Sequence, residues 1–246
     1  MISFFHTTLY IPIYNLLIFI TGVIPGGDVG IAVIVVTLLV KVATSPLSIS
    51  AVKTQRRMKA VEPALKHIKE KYKDDKEKQA RETMALYKNS GIHPFASILG
   101  TLIQLPIIIS LYQIFIKEQL LHADIPLLYA FVPAPDVVSP LFLNIFPIVG
   151  HSIPLAMFAG IFQYLQAYFS IQIPASTTSN AGTSDEFARI LAVQARYMLP
   201  AVVAFIAYTS GAIALYFITS SIFGVLQELY IRRTHPLPKS EAAAAS

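Results

Sequence analysis

The sequence predicts an all-α polytopic membrane protein: a five-transmembrane-helix bundle with a cytoplasmic helical hairpin and an N-terminal helix lying along the outer interface. Three observations carry this expectation. The 246 residues are 54% hydrophobic and only 13% charged, with a mean hydropathy of +0.59, a composition suited to lipid rather than water. Apolar runs of span length recur along the chain, since a hydrocarbon core of about 30 Å needs about twenty helical residues. Basic charge is also segregated: residues 53–92 hold 12 of the 19 Lys and Arg against 6 acids, whereas residues 118–152 hold no Lys or Arg. By the positive-inside rule the first stretch is cytoplasmic and the second lies outside.

Residues 1–28 form the N-terminal element. The apolar stretch 3–24 is broken by Pro12 and Pro25 and interspersed with His6, Tyr10, Tyr14 and Asn15. Either a span or a helix along the outer interface fits it; the basic start and small-residue cleavage site of a signal peptide are lacking, and the interfacial helix is the reading favoured. The PGGD turn at Pro25–Asp28 follows, with Asp28 as the cap of the next helix. The first span is 29–52. Residues 53–93 read as two amphipathic helices in a hairpin, with Leu65, Ile68 and Tyr72 as one apolar stripe and Ala80, Met84 and Tyr87 as the other. Pro63 opens the first helix, Asp74 and Asp75 break and recap, and Gly91 with Pro94 closes the second.

The second span is 94–117. Residues 118–152 contain five prolines, too many for a lipid-facing helix, and are expected to be an outer loop with short helices. The third span is 153–173, followed by a cytoplasmic loop at 174–194. Tyr197–Tyr230 is too long for one span and tight for two, so the Thr209, Ser210, Gly211 cluster marks a turn between spans at 195–210 and 211–230. Such short arms imply a locally thinned bilayer. Residues 231–246 form a tail placed inside by Arg232, Arg233 and Lys239.

Lys41 lies near the middle of the first span, where a charge costs roughly 2.5–3.5 kcal/mol on insertion scales and therefore faces protein or water. Thr37, Lys41, Thr44 and Ser48 step by four, three and four residues and share one helical face. Polar residues in register recur on the second span, as Ser97, Thr101 and Gln104, and on the third, as Gln163, Gln166 and Ser170. Single Ser, Thr or Gln residues in spans commonly glue helices together. An ammonium without a mid-span carboxylate needs water, and an aqueous cavity lined by these stripes supplies it.

No phosphate loop, dinucleotide fingerprint, HExxH or GxSxG motif is present, which leaves enzyme readings without a handle and no cofactor implied. The six histidines have no metal-ligand spacing, and the absence of cysteine removes disulfides and thiolate sites. With no Trp, Tyr and Phe must supply any aromatic belt. The basic segment points to lipid head groups, topology or ribosomal RNA rather than DNA.

The stretches PIYNLL (Pro12–Leu17), GIAVIVVTLLVKVATSPLS (Gly30–Ser48), VEPALKHIKEKYKDD and LYKNSGIHPFASILGTLIQLPIIISLY (Leu86–Tyr112) together resemble the YidC/Oxa/Alb family of membrane protein insertases. The likeness covers most of residues 12–117 by motif and the remainder by layout. It implies a hydrophilic groove open to cytoplasm and lipid but sealed outside, a hairpin that receives clients, and no nucleotide site. Lys41 stands where the family usually carries an arginine, and Gln104 stands on the groove face of the second span. Lysine keeps the charge but lacks the planar fork for bidentate carboxylate capture. The outer loop lacks Trp, and the resemblance implies a short bacterial form, without the large periplasmic domain of long forms, in the cytoplasmic membrane. The resemblance implies a client-binding groove formed by Lys41, Thr37, Thr44, Ser48, Gln104, Thr101 and Gln163. It implies nascent membrane proteins and membrane lipids as partners, with the ribosome and a Sec translocon as further candidates. A small-solute channel or carrier using the same stripes as a pore is the alternative, and an embedded enzyme built on a reactive Lys41 is a third reading.

Overall fold

The computed structural model describes residues 6–92, 106–115, 127–170 and 183–234, without the side chains of Gln55, Lys59 and 183–189. A π-helical turn, His6–Tyr10, leads into α1 (Ile11–Val23); α2 is Val29–Ala60, α3 Glu62–Lys71, α4 Lys76–Asn89 and α5 Pro106–Phe115. Strands β1 (Leu141–Phe142) and β2 (Phe146–Pro147) form an antiparallel hairpin, and α6 (Ile153–Ser170), α7 (Thr183–Tyr208) and α8 (Gly211–Thr234) complete the described chain.

Among the described residues, four helical stretches are long and apolar enough to cross a membrane: His6–Val23, Val29–Met58, Ile190–Tyr208 and Gly211–Thr234. Three coincide with predicted spans. The N-terminal stretch, read as an interfacial helix or a span, has the length and hydropathy of a span and packs one face on protein, with Tyr14 and Leu17 fully buried and Tyr10, Ile18 and Thr21 nearly so. Helix α5 is a shorter apolar helix within the predicted second span. Helix α6 has the length of a span, but Gln163 and Gln166 dilute its apolar character.

The chain divides into two compact units. The first takes residues 1–43 and 106–226. Its core is built by Tyr14, Leu17 and Ile18 of α1, Val29, Val33 and Val36 of α2, Ile114 of α5, Ala159 of α6, Ala207 of α7, and Ala212, Ala214 and Leu215 of α8. Small residues at several of these positions let backbones approach closely where apolar burial gives no advantage over lipid. Asn15, 2% exposed, ties loop to helix: its Nδ2 donates to the Ile11 and Leu127 carbonyls, each at 2.9 Å, and its Oδ1 accepts from the Tyr129 N–H at 2.7 Å.

Of the predicted outer loop, residues 118–126 lie outside the described residues, and 127–152 hold no α-helix but form the β-hairpin. Prolines at 133, 135, 140 and 147 remove ladder donors and favour extended backbone, which a two-residue strand tolerates. Asp28 Oδ1 caps α2 by accepting from the Ile31 N–H at 3.1 Å, while Oδ2 accepts from the Leu143 N–H at 2.8 Å. Helices α7 and α8 meet at Thr209 and Ser210, as the sequence suggested. Helix α7 starts at Thr183; its apolar part, Ile190–Tyr208, is 19 residues long, and the apolar stretch of α8, Gly211–Thr234, is 24. The Ser210 hydroxyl and the Ala212 N–H both donate to the Ile148 carbonyl, at 3.2 and 3.0 Å. A Cβ on Gly211 would collide with the Pro147 carbonyl, so only glycine fits that approach.

The second unit takes residues 44–105 and 227–246. Helix α3 opens with Pro63 in its first turn, and Asp75 caps α4 through the Lys78 N–H at 3.0 Å. Gln79 Nε2 reaches back to the Lys69 carbonyl, fastening the hairpin at 3.0 Å. Helix α4 ends in a Schellman motif: Ile92 N–H donates to the Tyr87 carbonyl, Gly91 N–H to that of Lys88, and Gly91 takes a left-handed φ of 60°. Arg57 donates to the Gly91 carbonyl at 2.9 Å. Leu65, Ile68 and Tyr72 form the expected half-buried stripe of α3, but α4 turns Thr83, Leu86 and Tyr87 inward while Met84 stays 59% exposed. The predicted stripe is thus off by roughly one position, a shift that charged side chains on every face of α4 do little to resist.

Candidate functional site

The polar residues singled out from the sequence divide by location. Thr101 and Gln104 lie outside the described residues. Thr37 and Lys41 belong to the first unit, one turn apart on α2; Thr44 and Ser48 belong to the second.

Lys41 is half-buried and is the thirteenth residue of the stretch Val29–Met58, about 18 Å along the helix from its start. Thr37 is 1% exposed, and its hydroxyl donates to the Val33 carbonyl of its own helix at 2.6 Å. Such back-bonding satisfies the hydroxyl proton internally. Ser48 does the same, donating to the Thr44 carbonyl at 3.1 Å. Of the three hydroxyls predicted on this face, Thr37 and Ser48 therefore have their protons engaged within α2. In the second unit Gln227 Nε2 donates to the Ser45 carbonyl at 3.4 Å, and Arg56 to the Ile231 carbonyl at 3.2 Å.

Gln163 connects α6 to α8: its Oε1 accepts from the Ser221 hydroxyl at 3.0 Å. One turn on, Gln166 lies directly over Gly224 of α8. The partner side of this contact was not read from the sequence, although the TSS triplet at 219–221 inside an apolar run was its signal; all three residues are under 9% exposed.

Sequence reasoning also passed over Arg196, which falls inside the apolar stretch Ile190–Tyr208. Its guanidinium stands over the Tyr168 ring at 5.2 Å, and Tyr164 joins the same cluster, 6.4 Å from Tyr168 and 5.9 Å from Tyr197 between ring centres. These exposed rings have the composition of an interfacial belt without Trp, with a cation resting on an aromatic face. Glu228, 8% exposed at its side chain, is bound by Arg232 at 2.9 Å. Among the described residues no group of three His, Asp or Glu side chains could hold a metal ion.

The sequence profile of the family described as 60Kd inner membrane protein matches residues 19–239. A protein of Oceanobacillus iheyensis named membrane protein insertase YidC is 28% identical over 233 residues, which cover 93% of this chain and 83% of the relative. One of Bacillus anthracis, named membrane protein insertase YidC 1, is 29% identical over 229 residues, 90% of this chain and 79% of the relative. One of Pelodictyon phaeoclathratiforme, named membrane protein insertase YidC, is 30% identical over 213 residues; these cover 85% of this chain but 34% of the relative, so the chain spans about a third of that protein. With a profile match running over nearly the whole chain and through the Lys41 helix, this chain belongs to the YidC/Oxa/Alb family of inner membrane proteins.

Proposed function

We propose that this protein is a membrane protein insertase of the inner membrane, which receives a client transmembrane segment at a hydrophilic groove centred on Lys41 and releases it into lipid. The observation that carries the proposal is a half-buried lysine in mid-span in a member of this family. A client with a short acidic outer tail is attracted first by the basic hairpin and then by Lys41. Transfer of its polar groups through bare hydrocarbon costs several kcal/mol per unsatisfied group. Water beside Lys41, together with Thr44, Ser48, Thr101, Gln104 and Gln163, replaces part of that solvation, and Thr37, 1% exposed, joins them only once a client uncovers it. Hydroxyls already bonded to their own helix contribute through their free lone pairs rather than their protons. The client helix then leaves for lipid, driven by burial of its apolar residues. A membrane potential of 100 mV adds about 2.3 kcal/mol for each negative charge moved outward.

In this reading the C-terminus lies inside, no nucleotide is consumed, and ribosome and Sec translocon are partners at the cytoplasmic hairpin and at the lateral opening. The solute-carrier alternative finds no support in the relatives named above. Depletion and rescue test the proposal. Lys41→Ala should impair insertion of acidic-tailed clients, scored by protease protection, while Lys41→Arg restores it. Equal insertion by all three versions removes Lys41 from the mechanism. Crosslinking from positions 41 and 104 to a stalled nascent chain locates the groove independently.

A further inference from the structure

The β1–β2 hairpin is apolar on both faces. Phe142 and Phe146 turn inward, onto an apolar cavity of about 460 Å³ that also borders Ile34 of α2 and Leu215 of α8. On the other side Leu141, Leu143 and Ile145 are 37%, 54% and 68% exposed. A hairpin with one face on protein and one in water alternates apolar with polar residues; an apolar outer face signals cover on that side too. No Lys, Arg, Asp or Glu occurs anywhere in 137–152.

The height of the hairpin is set by its tethers. Leu143 N–H donates to Asp28, directly before the apolar stretch Val29–Met58, and Ser139 N–H donates to the Gly27 carbonyl at 2.8 Å. On the far side, the Ile148 carbonyl accepts from Ser210, between the stretch that ends at Tyr208 and the one that begins at Gly211, and from Ala212 at the start of the latter. The hairpin is therefore fastened where three helical stretches of span length and hydropathy begin or end, and the ends of such stretches are where a span meets the lipid head groups.

The turn itself carries a cost that sequence could have avoided. Leu143 and Asn144 both take positive φ, 52° and 57°, and the Ile145 N–H closes on the Phe142 carbonyl at 3.0 Å, the geometry of a type I′ turn. Asn and Gly suit that geometry; leucine at its first central position is strained. Strain retained at a tip, in exchange for an exposed apolar side chain, points to a use for that side chain.

We propose that this hairpin is a membrane-seated anchor, whose tip residues Leu141, Leu143 and Ile145 embed in the boundary between head groups and acyl chains of the adjoining leaflet. The lipid, rather than a client or a second copy, covers the outer face whether or not insertion is under way.

The chain has no cysteine, so a single one can be placed at will. Leu143→Cys and, away from the positive-φ pair, Ile145→Cys are labelled with an environment-sensitive nitrobenzoxadiazole dye in the full-length protein. The protein is then reconstituted in phosphatidylcholine and phosphatidylglycerol vesicles. Met84→Cys on the exposed face of α4 is the water-facing reference. Both tip probes should emit blue-shifted from the reference. Shallow nitroxide lipid should quench them several-fold more strongly than it quenches the reference, with iodide showing the reverse order. Water-like emission at both tip positions overturns the proposal. So does emission that becomes apolar only when client is added, or only as protein-to-lipid ratio rises, since these assign the face to a client or to a second copy.

Discussion

Removing the Asp28 carboxylate is expected to release the hairpin before it unfolds the bundle. Asp28 is 9% exposed and holds two backbone N–H groups, one in each direction along the fold. Loss of a helix cap costs about 1 kcal/mol. Loss of a charge-assisted hydrogen bond to the Leu143 N–H costs about 1.5–3 kcal/mol, so Asp28→Ala should lose about 2.5–4 kcal/mol in all. The two parts are separable. The cap acts on the start of α2, whereas the Leu143 bond acts on 139–147. Asp28→Asn keeps one acceptor oxygen and should lose only part of the effect, because its amide cannot accept from the second N–H. Hydrogen exchange read by mass spectrometry resolves the hairpin peptide. A loss of 1.5–3 kcal/mol in local stability corresponds to about ten- to a hundredfold faster exchange at Leu143 and its neighbours. Unchanged exchange over 139–147, beside a lowered Tm, would show that something other than Asp28 pins the hairpin and would refute this reasoning.

Three further perturbations follow from the packing. Gly211→Ala should lower stability by about 1–3 kcal/mol through overpacking against the Pro147 carbonyl, read as a fall in Tm in detergent. Gln163→Leu and Ser221→Ala should each destabilise, and their double-mutant cycle should return a coupling of about 0.5–1.5 kcal/mol; additive effects would dissolve the α6–α8 bond. Gly91→Ala at its left-handed φ should cost about 1 kcal/mol and act locally, raising trypsin cleavage within α4 while leaving the Tm of the bundle in place.

What could be read in advance follows the range over which each signal acts. Local signals, set by steric and hydrogen-bonding rules over four to six residues, located Asp28 as a cap, the break at Asp74–Asp75, the glycine stop at Gly91 and the turn at Thr209–Gly211. Hydropathy located α2, α7 and α8 because lipid solvates apolar side chains irrespective of partner. The hairpin at 141–147 escaped because five prolines exclude a long lipid-facing helix without selecting what replaces it, and its turn is held by Asp28 more than a hundred residues away. Ser221 escaped because a serine in a span carries no mark of its partner until α6 and α8 are brought together. Arg196 was hidden by a boundary placed at 194/195, next to it; helix α7 instead starts at Thr183. Lys41 was legible by its chemistry alone, whereas the proton of Thr37 was spoken for by a carbonyl four residues back that no face plot displays.

The two-residue link between α7 and α8 bears on how this protein is itself made. In the proposed orientation this corner must travel through the hydrocarbon during biosynthesis, and it carries only Thr209, Ser210 and their peptide groups, with no ionic side chain. With so little polar freight between them, α7 and α8 can partition into lipid as one paired element. Their insertion then makes little demand on an insertase already at work.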